Sequence, residues 1–327
     1  MAEYFSTFIT GFEQVVSTEL ARDLKGVKII GLHNGLVHYS YGGGAADVAS
    51  VFYLNNSYLI FKAFGKETLE QMAARAFDKN FRPLTKKGSF RFRFSEENKF
   101  VRVPEKTAVR VEDAVMQRTG LSVNRHNPDT EFWFLTRREG FGFFCQLLDK
   151  AVKTKPLNKG ELRPELAYLL CKCADFTPES VVCDPFAGYG AIPLQITRRL
   201  PHKKLYVNDN DVKCFSYLQK TKLGKNKKVE LTNINALELS HIENGDVDLI
   251  ITDPPWGVYK NVENNFYDFM FKEFKRILIK DGKIVLLLNQ NFETDVIEGN
   301  GLAIKKDFPI LVSGKRARVL TSKHKFI

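Results

Sequence analysis

The sequence predicts an α/β protein in which a mostly parallel, doubly wound sheet follows an α+β N-terminal half. Two observations predict this order. In residues 161–327 short apolar strands alternate with helix-like stretches, which places parallel strands beneath helices on both faces. In residues 1–150 strands of alternating polarity are mixed with short helices instead. Residues 151–160 are polar and basic and contain Pro and Gly, as expected of a linker.

The bulk composition limits the class of protein. A chain of 327 residues exceeds one typical domain, and 44% hydrophobic and 12% aromatic residues are enough to build cores. No apolar run reaches the roughly 18 residues of a membrane span, and the first residues lack the features of a signal peptide. The five cysteines are odd in number and form no C-x-x-C pair, so we expect reduced thiols, no metal site and a cytoplasmic protein.

The charge is basic in both halves of the chain. The net charge is +11, with 24 basic and 17 acidic side chains up to residue 160, and 25 and 21 after it. Such an excess suits a polyanionic partner, although a mildly basic charge is also common among soluble proteins. Charge alone therefore leaves the partner open.

The N-terminal half divides near residue 64, which gives a first predicted domain at 1–63 and a second at 64–150. The first contains strands and helices at Tyr4–Ile9, Phe12–Asp23, Gly35–Tyr41 and Ala45–Tyr53. The second contains them at Leu69–Phe77, Gly88–Glu97, Glu105–Gly120, Phe132–Leu135 and Phe141–Leu148. In the strand GSFRFRFSEE, a period of two puts Phe90, Phe92 and Phe94 on one face and Arg91 and Arg93 on the other.

The C-terminal half begins with a helix at Pro164–Ala174, whose proline stands in the first turn. A later helix is predicted at Phe266–Leu278. Between and after these helices the predicted strands are Val181–Asp184, Leu205–Asp209, Val229–Asn233, Val247–Thr252 and Lys283–Asn289. Ligands of such open sheets bind beyond the carboxyl ends of the strands, so the loops after these strands carry the candidate site.

The first of these loops is a glycine turn. The sequence VVCDPFAGYGAIPLQI gives a strand, a turn with Gly188 and Gly190, and a helix, so that backbone N–H groups point at a ligand. The dinucleotide fingerprint G-x-G-x-x-G would need a glycine where Pro193 stands, which disfavours a nicotinamide cofactor.

The next two loops carry polar side chains. Asp209, in the sequence NDND, lies 19 residues after Gly190, and a carboxylate there can bind both ribose hydroxyls of an adenosine. Asp211 could take that role instead, and a solvated acidic turn is the other interpretation. Asn235, in NINALEL, could bond an adenine edge, although asparagine is common in such turns without a ligand.

The fourth loop has the sequence DPPW. Asp253 and the Pro254 carbonyl can accept both hydrogens of an exocyclic amine, and Pro255 holds that carbonyl by fixing φ. Trp256 offers a face on which a base can stack, worth about 1–3 kcal/mol. The alternative is a rigid turn whose tryptophan packs inward.

These residue types suit methyl transfer to a nucleobase amine. The lone pair of such an amine is delocalised into the ring, and two acceptors turn it toward an electrophile. Positioning beside a sulfonium methyl can supply up to roughly 7–11 kcal/mol. The motif contains no cysteine nucleophile, which disfavours carbon-5 methylation of pyrimidines.

The motifs DPFAGYG, NDND and DPPWG together resemble those of class I S-adenosylmethionine methyltransferases, whose amino-methylating members carry [DNS]-P-P-[YFW]. The similarity extends over the whole chain. YFSTFITGFEQVVSTEL resembles the opening of THUMP-domain RNA methyltransferases, GLSVNRHNPDTEFWF the end of their THUMP module, and LRPELAYLL the helix before their first motif. Among these, the chain is similar to the tRNA guanine-N2 branch.

The resemblance implies a ferredoxin-like domain at 1–63, a THUMP RNA-binding domain at 64–150 and a Rossmann-like methyltransferase domain at 161–327. Asp253, Pro254 and Trp256 would then bind the target base as the catalytic residues. S-adenosylmethionine would be bound by Asp184, Pro185, Ala187, Gly188, Gly190, Asp209, Asn235 and Asp253. The chain departs from the family at Tyr189, where Ser or Thr is usual, and at Asn235, where Asp is commoner.

The same resemblance gives the basic N-terminal region a role. Structured RNA, most often tRNA, would be the partner, with phosphates bound by Lys86, Lys87, Arg91, Arg93 and Arg102. An ordinary solvated strand face is the alternative for each of them. Three further functions stay open: guanine-N2 methylation of ribosomal RNA, N6-methylation of adenine, and RNA binding without catalysis.

Overall fold

The computed structural model describes residues 1–77, 81–150, 156–256, 265–312 and 314–324. Their contacts divide the chain into two compact units. The first comprises Met1–Phe8 with Ser17–Lys153, and the second comprises Ile9–Val16 with Thr154–Ile327. Residues 151–155 of the predicted linker lie outside the described residues.

The first unit is built on one mixed sheet. Its strands run in the order β2-β3-β1-β4-β9-β8-β5-β6, with β7 paired to β5. They are β1 (Ala2–Thr7), β2 (Lys28–His33), β3 (Leu36–Tyr41), β4 (Asn56–Phe64), β5 (Ser89–Glu96), β6 (Lys99–Phe100), β7 (Ser122–Val123), β8 (Thr130–Thr136) and β9 (Gly142–Leu147). The helices of the N-terminal half are α1 (Glu13–Asp23), α2 (Ala45–Ser50), α3 (Leu69–Arg75) and α4 (Glu105–Thr119).

The sheet runs through the boundary predicted at residues 63 and 64. That boundary falls at the end of β4, which pairs with β1 on one side and with β9 on the other. One set of backbone hydrogen bonds therefore joins both predicted N-terminal domains, and apart from Ile9–Val16 they fall into one unit. The division into two domains stays a prediction.

Aromatic side chains fill the core under β5, β8 and β9. Phe90, Phe132 and Phe134 are fully buried, and the Phe134 ring stacks on that of Phe94 at 5.6 Å and on that of Phe144 at 4.7 Å between centroids. The prediction for β5 is confirmed, because its phenylalanines belong to this core. Helix α4 ends as predicted at Gly120, which adopts the left-handed conformation with φ of 75°.

The second unit contains a seven-stranded sheet in the order β12-β11-β10-β13-β14-β16-β15. Its strands are β10 (Val181–Asp184), β11 (Lys204–Asn208), β12 (Val229–Thr232), β13 (Val247–Thr252), β14 (Leu278–Asn289), β15 (Leu302–Val312) and β16 (Lys315–His324). Its helices are α5 (Pro164–Cys171), α6 (Ala191–Arg199), α7 (Val212–Lys220), α8 (Phe266–Ile277) and α9 (Asp295–Gly299). The strands from β12 to β14 are parallel, and the alternation of strands and helices predicted them.

The antiparallel pair β15–β16 was not predicted. Strand β15 is at the edge of the sheet, and its sequence LAIKKDFPILV has an interior charged run and Pro309. Proline is tolerated on an edge strand because the outer N–H groups need no ladder partner, but it weakens the strand pattern. Strand β2, at the edge of the other sheet, was missed for a similar reason, since it is largely exposed and is interrupted by Gly31.

The topology positions a pocket. Strand β10 lies between β11 and β13, so the chain runs from β10 to one side through β11 and β12 and then crosses to the other side at β13. At such a switch point the loops after neighbouring strands separate and leave a crevice at the carboxyl edge.

None of the described helices is long and apolar enough to span a membrane. All five cysteines lie in the described part of the chain and are free thiols.

Truncating the aromatic core should destabilise the protein. We expect Phe134→Ala to lower the free energy of unfolding by about 3–5 kcal/mol, because a fully buried ring is lost and leaves a cavity. Thermal unfolding followed by circular dichroism measures the loss against Phe269→Ala, whose side chain is 50% exposed. Equal melting temperatures for the two variants would contradict this account of the core.

Candidate active site

A pocket of about 530 Å³ lies at the carboxyl edge of the second sheet. It brings together side chains from the loops after β10, β11, β12 and β13. The predicted site residues that line it are Asp184, Ala187, Gly188, Asp209, Asn235, Asp253 and Trp256. Pro185, Gly190 and Pro254 are not among the described residues that line it.

Asp184 is the deepest carboxylate of the pocket. It is almost fully buried, and its Oδ1 accepts hydrogen bonds from Thr252 Oγ1 at 2.7 Å and from Phe186 N at 3.3 Å. Its Oδ2 has no hydrogen-bond partner among the described residues. Burial raises the pKa of Asp184 to about 8, and the nearby carboxylates of Asp209 and Asp253 add to the rise. An unpartnered buried acceptor of this kind suits a cationic or N–H-bearing ligand.

The glycine turn is held by the next carboxylate along the sheet. Gly188, with φ of 54°, donates its N–H to Asp209 Oδ2 at 2.7 Å, and Asp211 donates its N–H to Asp209 Oδ1 at 2.8 Å. Both Asp209 oxygens are thus fixed by backbone groups, and each keeps a further lone pair. Asp211 itself caps helix α7 by accepting from Lys213 N, so its carboxylate has a structural task.

Gly190 acts through packing. Its φ is 84°, and a Cβ added there would lie 2.6 Å from Leu218 Cδ2 of helix α7. Only glycine combines that left-handed conformation with so close an approach. Its predicted contact with a cofactor remains a prediction, whereas its place at the N-terminus of α6 is a finding.

Asn208 is a residue that sequence reasoning missed. It is buried, and its amide nitrogen donates to the carbonyls of Pro185 and Ile234, each at 3.1 Å. Its oxygen accepts from Thr232 Oγ1 at 2.9 Å and from Ile234 N at 3.1 Å. One side chain therefore joins the loops after β10 and β12 to the end of β11. In the sequence NDND only the carboxylates of Asp209 and Asp211 suggested a ligand contact. The partners of Asn208 lie in other loops, so no local sequence pattern predicts its role.

Asn235 contributes mainly to its own loop. Its Oδ1 accepts from Leu237 N at 3.1 Å, the Asx turn expected of asparagine after a strand. The side chain is exposed and lines the pocket, so its amide group is accessible from there. Binding of an adenine edge stays a prediction.

The DPPW loop is pinned at three points. Trp256 Nε1 donates to Asp253 Oδ1 at 2.9 Å and to the Leu287 carbonyl at 3.2 Å. Tyr267 Oη donates to the Pro255 carbonyl at 2.7 Å. The indole is thus anchored at its N–H edge. The sequence predicted Trp256 only as a stacking surface and did not predict these two hydrogen bonds. Residues 257–264, which follow directly, lie outside the described residues.

Asp253 is half-buried beside this ring. Burial raises its pKa to about 7, although the hydrogen bond from Trp256 lowers it. The indole takes one acceptor site of Oδ1, whereas no hydrogen bond from the described residues reaches Oδ2, so Oδ2 is the more available oxygen for a ligand. The carboxylate is therefore an acceptor whose charge changes near neutral pH.

Several pocket residues were not predicted. Phe186 and Phe266 line it with ring centroids 5.9 Å apart, and Glu161 with Leu162 reaches it from the segment before α5. Phe186 stands inside the sequence DPFAGYG, so the motif itself was its signal. The other three come from segments distant in sequence and carry no local signal.

The predicted RNA-binding residues lie in the first unit and differ in availability. Lys86, Lys87 and Arg102 are exposed. Arg91 instead donates to Glu131 and to the carbonyls of Arg125 and His126. Arg93 lies 4.0 Å from Glu131 and places its guanidinium over the Phe100 ring. A phosphate would have to compete with Glu131 for Arg91, which favours the exposed three.

A comparison with protein families supports the interpretation of the pocket. Residues 153–317 match the family model described as UPF0020, RMKL-like, methyltransferase domain, which is half of the chain. The chain belongs to this family. The matched region contains every lining residue of the pocket, so the pocket is that of an RMKL-like methyltransferase domain.

Individual proteins are also similar. The chain is 26% identical over 209 residues to tRNA (guanine(6)-N2)-methyltransferase of Thermus thermophilus, a match that covers 61% of this chain and 62% of that protein. The chain thus spans less than two thirds of that relative's length. The crystal structure of TrmN from Thermus thermophilus superposes with a TM-score of 0.76 at 20% identity and covers 99% of this chain and 100% of that one. A structure of SMU.472 complexed with SAH gives a TM-score of 0.72 at 14% identity over 100% and 99%. At these identities the two structures show a shared fold.

The buried Asp184 carboxyl should make stability depend on pH. It ionises near 3.8 in an unfolded chain and near 8 in the fold, so the folded state holds the extra proton between these values. Wild-type stability should therefore fall as the pH rises from about 4 to about 8 and then level off. Asp184→Asn removes this loss. Between about pH 4 and about pH 8, the melting temperature of Asp184→Asn should rise relative to that of wild type. The exposed control Asp281→Asn should show the same pH dependence as wild type. If Asp184→Asn also followed the wild-type curve, ionisation of Asp184 would not be the cause of the pH dependence.

Proposed function

We propose that the protein transfers a methyl group from S-adenosylmethionine to the exocyclic N2 amine of a guanosine in tRNA. The observation that carries this proposal is the Asp253 carboxylate, half-buried in a methyltransferase-domain pocket and held by the Trp256 N–H. A guanine amine has two hydrogens to donate. Asp253 Oδ2 can accept one, and the Pro254 carbonyl is proposed to accept the other.

The residues of the pocket fit the cofactor. We assign the ribose hydroxyls to Asp209, whose two oxygens keep free lone pairs, and the amino-acid end to Asp184, whose Oδ2 is buried without a partner among the described residues. Gly188 leaves open space where a side chain would stand, so the ligand can approach the backbone. When bound, the cofactor supplies a sulfonium methyl as the electrophile. Pro185, Ala187, Gly190, Asn235 and Asp253 complete the proposed cofactor set.

The protein's own contribution is orientation, charge and proton acceptance. A carboxylate that accepts an N–H turns the amine lone pair out of conjugation and stabilises the positive charge that develops on nitrogen. The amine must lose a proton after it is methylated, and a carboxylate with a pKa near 7 can take it. Tyr267 and Leu287 hold the loop and the indole, so that Asp253 need not reorganise during the reaction.

We assign the RNA to the first unit, whose two parts we propose are a ferredoxin-like domain and a THUMP domain. Lys86, Lys87 and Arg102 are exposed there for phosphate contacts, and the chain carries a net charge of +11. Guanine N2 in tRNA is favoured over ribosomal RNA and over adenine N6 because the similar protein from Thermus thermophilus is a tRNA guanine-N2 methyltransferase. A protein without catalysis would not need Gly188, Asp209 and Asp253 arranged in this way.

Replacing the acceptor tests the reaction. Asp253→Asn keeps the shape of the side chain and removes its charge, and we expect kcat for tRNA methylation to fall by about 10²–10³. Transfer of radiolabel from S-adenosylmethionine to tRNA that lacks modifications measures the rate. Calorimetry should show that cofactor affinity falls far less than kcat, because Asp253 is one of several proposed cofactor contacts, and the exposed control Asp281→Asn should keep full activity. An Asp253→Asn enzyme as active as wild type would exclude the proposed role.

The pH dependence gives an independent test of the same side chain. Because burial raises the pKa of Asp253 to about 7, the accepting carboxylate is lost as pH falls below that value. We expect kcat to rise with pH through about 7, by up to tenfold per unit below it, and then to level off. Single-turnover rates between about pH 5.5 and about pH 8.5 span this transition on both sides. A flat profile would contradict it.

A further inference from the structure

A tight hairpin at the edge of the first sheet presents an aromatic ring to solvent. Strands β5 and β6 pair through Glu96 and Lys99, so only Glu97 and Asn98 form the turn. Both have positive φ, at 47° and 69°, and they are the described residues other than glycine that do so. Such a conformation is costly without glycine and persists where the surroundings enforce it.

Two consecutive arginines supply that enforcement. Arg137 Nη1 donates to Asn98 Oδ1 at 2.5 Å, and Arg138 Nη2 donates to Glu97 Oε2 at 3.2 Å. Arg137 also donates to the Asn34 carbonyl, and its side chain is 8% exposed. Arg137 thus ties the turn to the segment after β8 and to the loop between β2 and β3.

Phe100, directly beyond this turn, is 68% exposed. Its ring lies 5.4 Å from that of Trp133 and 5.2 Å from the guanidinium of Arg93. Trp133 is fixed in turn, because its Nε1 donates to Glu131 Oε2 at 3.0 Å and its ring meets Tyr58 edge-on. One face of a firmly placed aromatic surface is thus left to solvent.

A cavity of about 200 Å³ adjoins this ring. Its wall combines aromatic rings with hydrogen-bonding groups, among them Phe100, Trp133, Tyr58, Asn98, Asn56 and Arg137. Pockets for ligands of drug size occupy about 300–1,000 Å³, so this one suits a smaller planar group. Lys99 and Arg102, on either side of Phe100 in sequence, are exposed, and the carboxylates of Glu96 and Glu97 lie on the same hairpin.

We propose that this surface, formed by Phe100, Trp133 and Arg93, stacks an unpaired base of the RNA, with Lys99 and Arg102 beside the backbone phosphates. The proposal rests on RNA being the substrate. An aromatic face accepts any base, whereas a base inside a duplex offers no free face, so the ligand must be single-stranded at this point. An exposed aromatic ring flanked by the exposed cations Lys99 and Arg102 matches the alternation of bases and phosphates in RNA, which favours RNA over a protein partner.

Tryptophan fluorescence tests the stacking directly. The chain has two tryptophans, so Trp256→Phe leaves Trp133 as the only reporter. Titration of that variant with a single-stranded oligoadenylate should quench Trp133, because a base on Phe100 lies beside it. Adding Phe100→Ala should weaken oligonucleotide binding about tenfold, within the range measured for loss of one stacked base, and Phe100→Tyr should restore it.

A matched control and a second assay separate this site from the reaction. Phe269 is 50% exposed and has Lys272 Nζ 5.6 Å from its ring centre, so Phe269→Ala makes the same change at another aromatic–cation pair and should leave binding unchanged. In the otherwise wild-type enzyme, Phe100→Ala should raise KM for tRNA and leave kcat and cofactor affinity as they were. Normal KM and unaltered quenching in Phe100→Ala would overturn the stacking site while methylation stands. If Phe100→Ala lost the quenching by oligonucleotide but the wild-type enzyme methylated no RNA, the stacking site would stand and only the proposed function would fail.

Discussion

The parallel arrangement of β10, β11 and β13 is the constraint on which the site depends. Parallel strands bring their carboxyl ends to one edge, and each of these three ends in an aspartate or is followed directly by one: Asp184, Asp209 and Asp253. Three carboxylates in one partly buried pocket are costly, and burial together with mutual repulsion raises the pKa of Asp184 to about 8. A ligand that carries an ammonium or a sulfonium group would relieve that cost. The pocket is thus electrostatically prepared for a cationic cofactor, at the expense of the stability of the empty protein.

Rigid positioning comes from groups that the chemistry does not use. Asn208 joins the loops after β10 and β12 to the end of β11 through four hydrogen bonds, and the Trp256 indole bonds both Asp253 and the Leu287 carbonyl. These bonds hold the backbone of the pocket loops and the Asp253 side chain, and the proposed ligand contacts lie on those loops. The first unit uses the same device, since Arg137 and Arg138 hold the turn that precedes Phe100. In both units a strained or charged feature persists because polar side chains surround it.

Much of this could be predicted from the sequence where the signal is local. Strands β10 and β13 have the predicted bounds, because short apolar runs that end in Asp or Thr leave little choice of register. Seven predicted site residues line the pocket, since each ends or follows a strand at the same edge. Long-range partners could not be predicted in the same way. The bond from Trp256 to Leu287, the exposure of Phe100 and the pairing of Arg91 with Glu131 depend on residues distant in sequence or on neighbouring strands. The hairpin β15–β16 was missed because Pro309 and a charged run hide its pattern.

The identity of the methylated nucleoside tests the central claim most directly. The protein would be incubated with tRNA that lacks modifications and with S-adenosylmethionine carrying a deuterated methyl group, and the digested nucleosides would be separated by mass spectrometry. We predict label in N2-methylguanosine, in wild type and not in Asp253→Asn. Label in N6-methyladenosine, or no label in any nucleoside while the cofactor binds, would contradict the account.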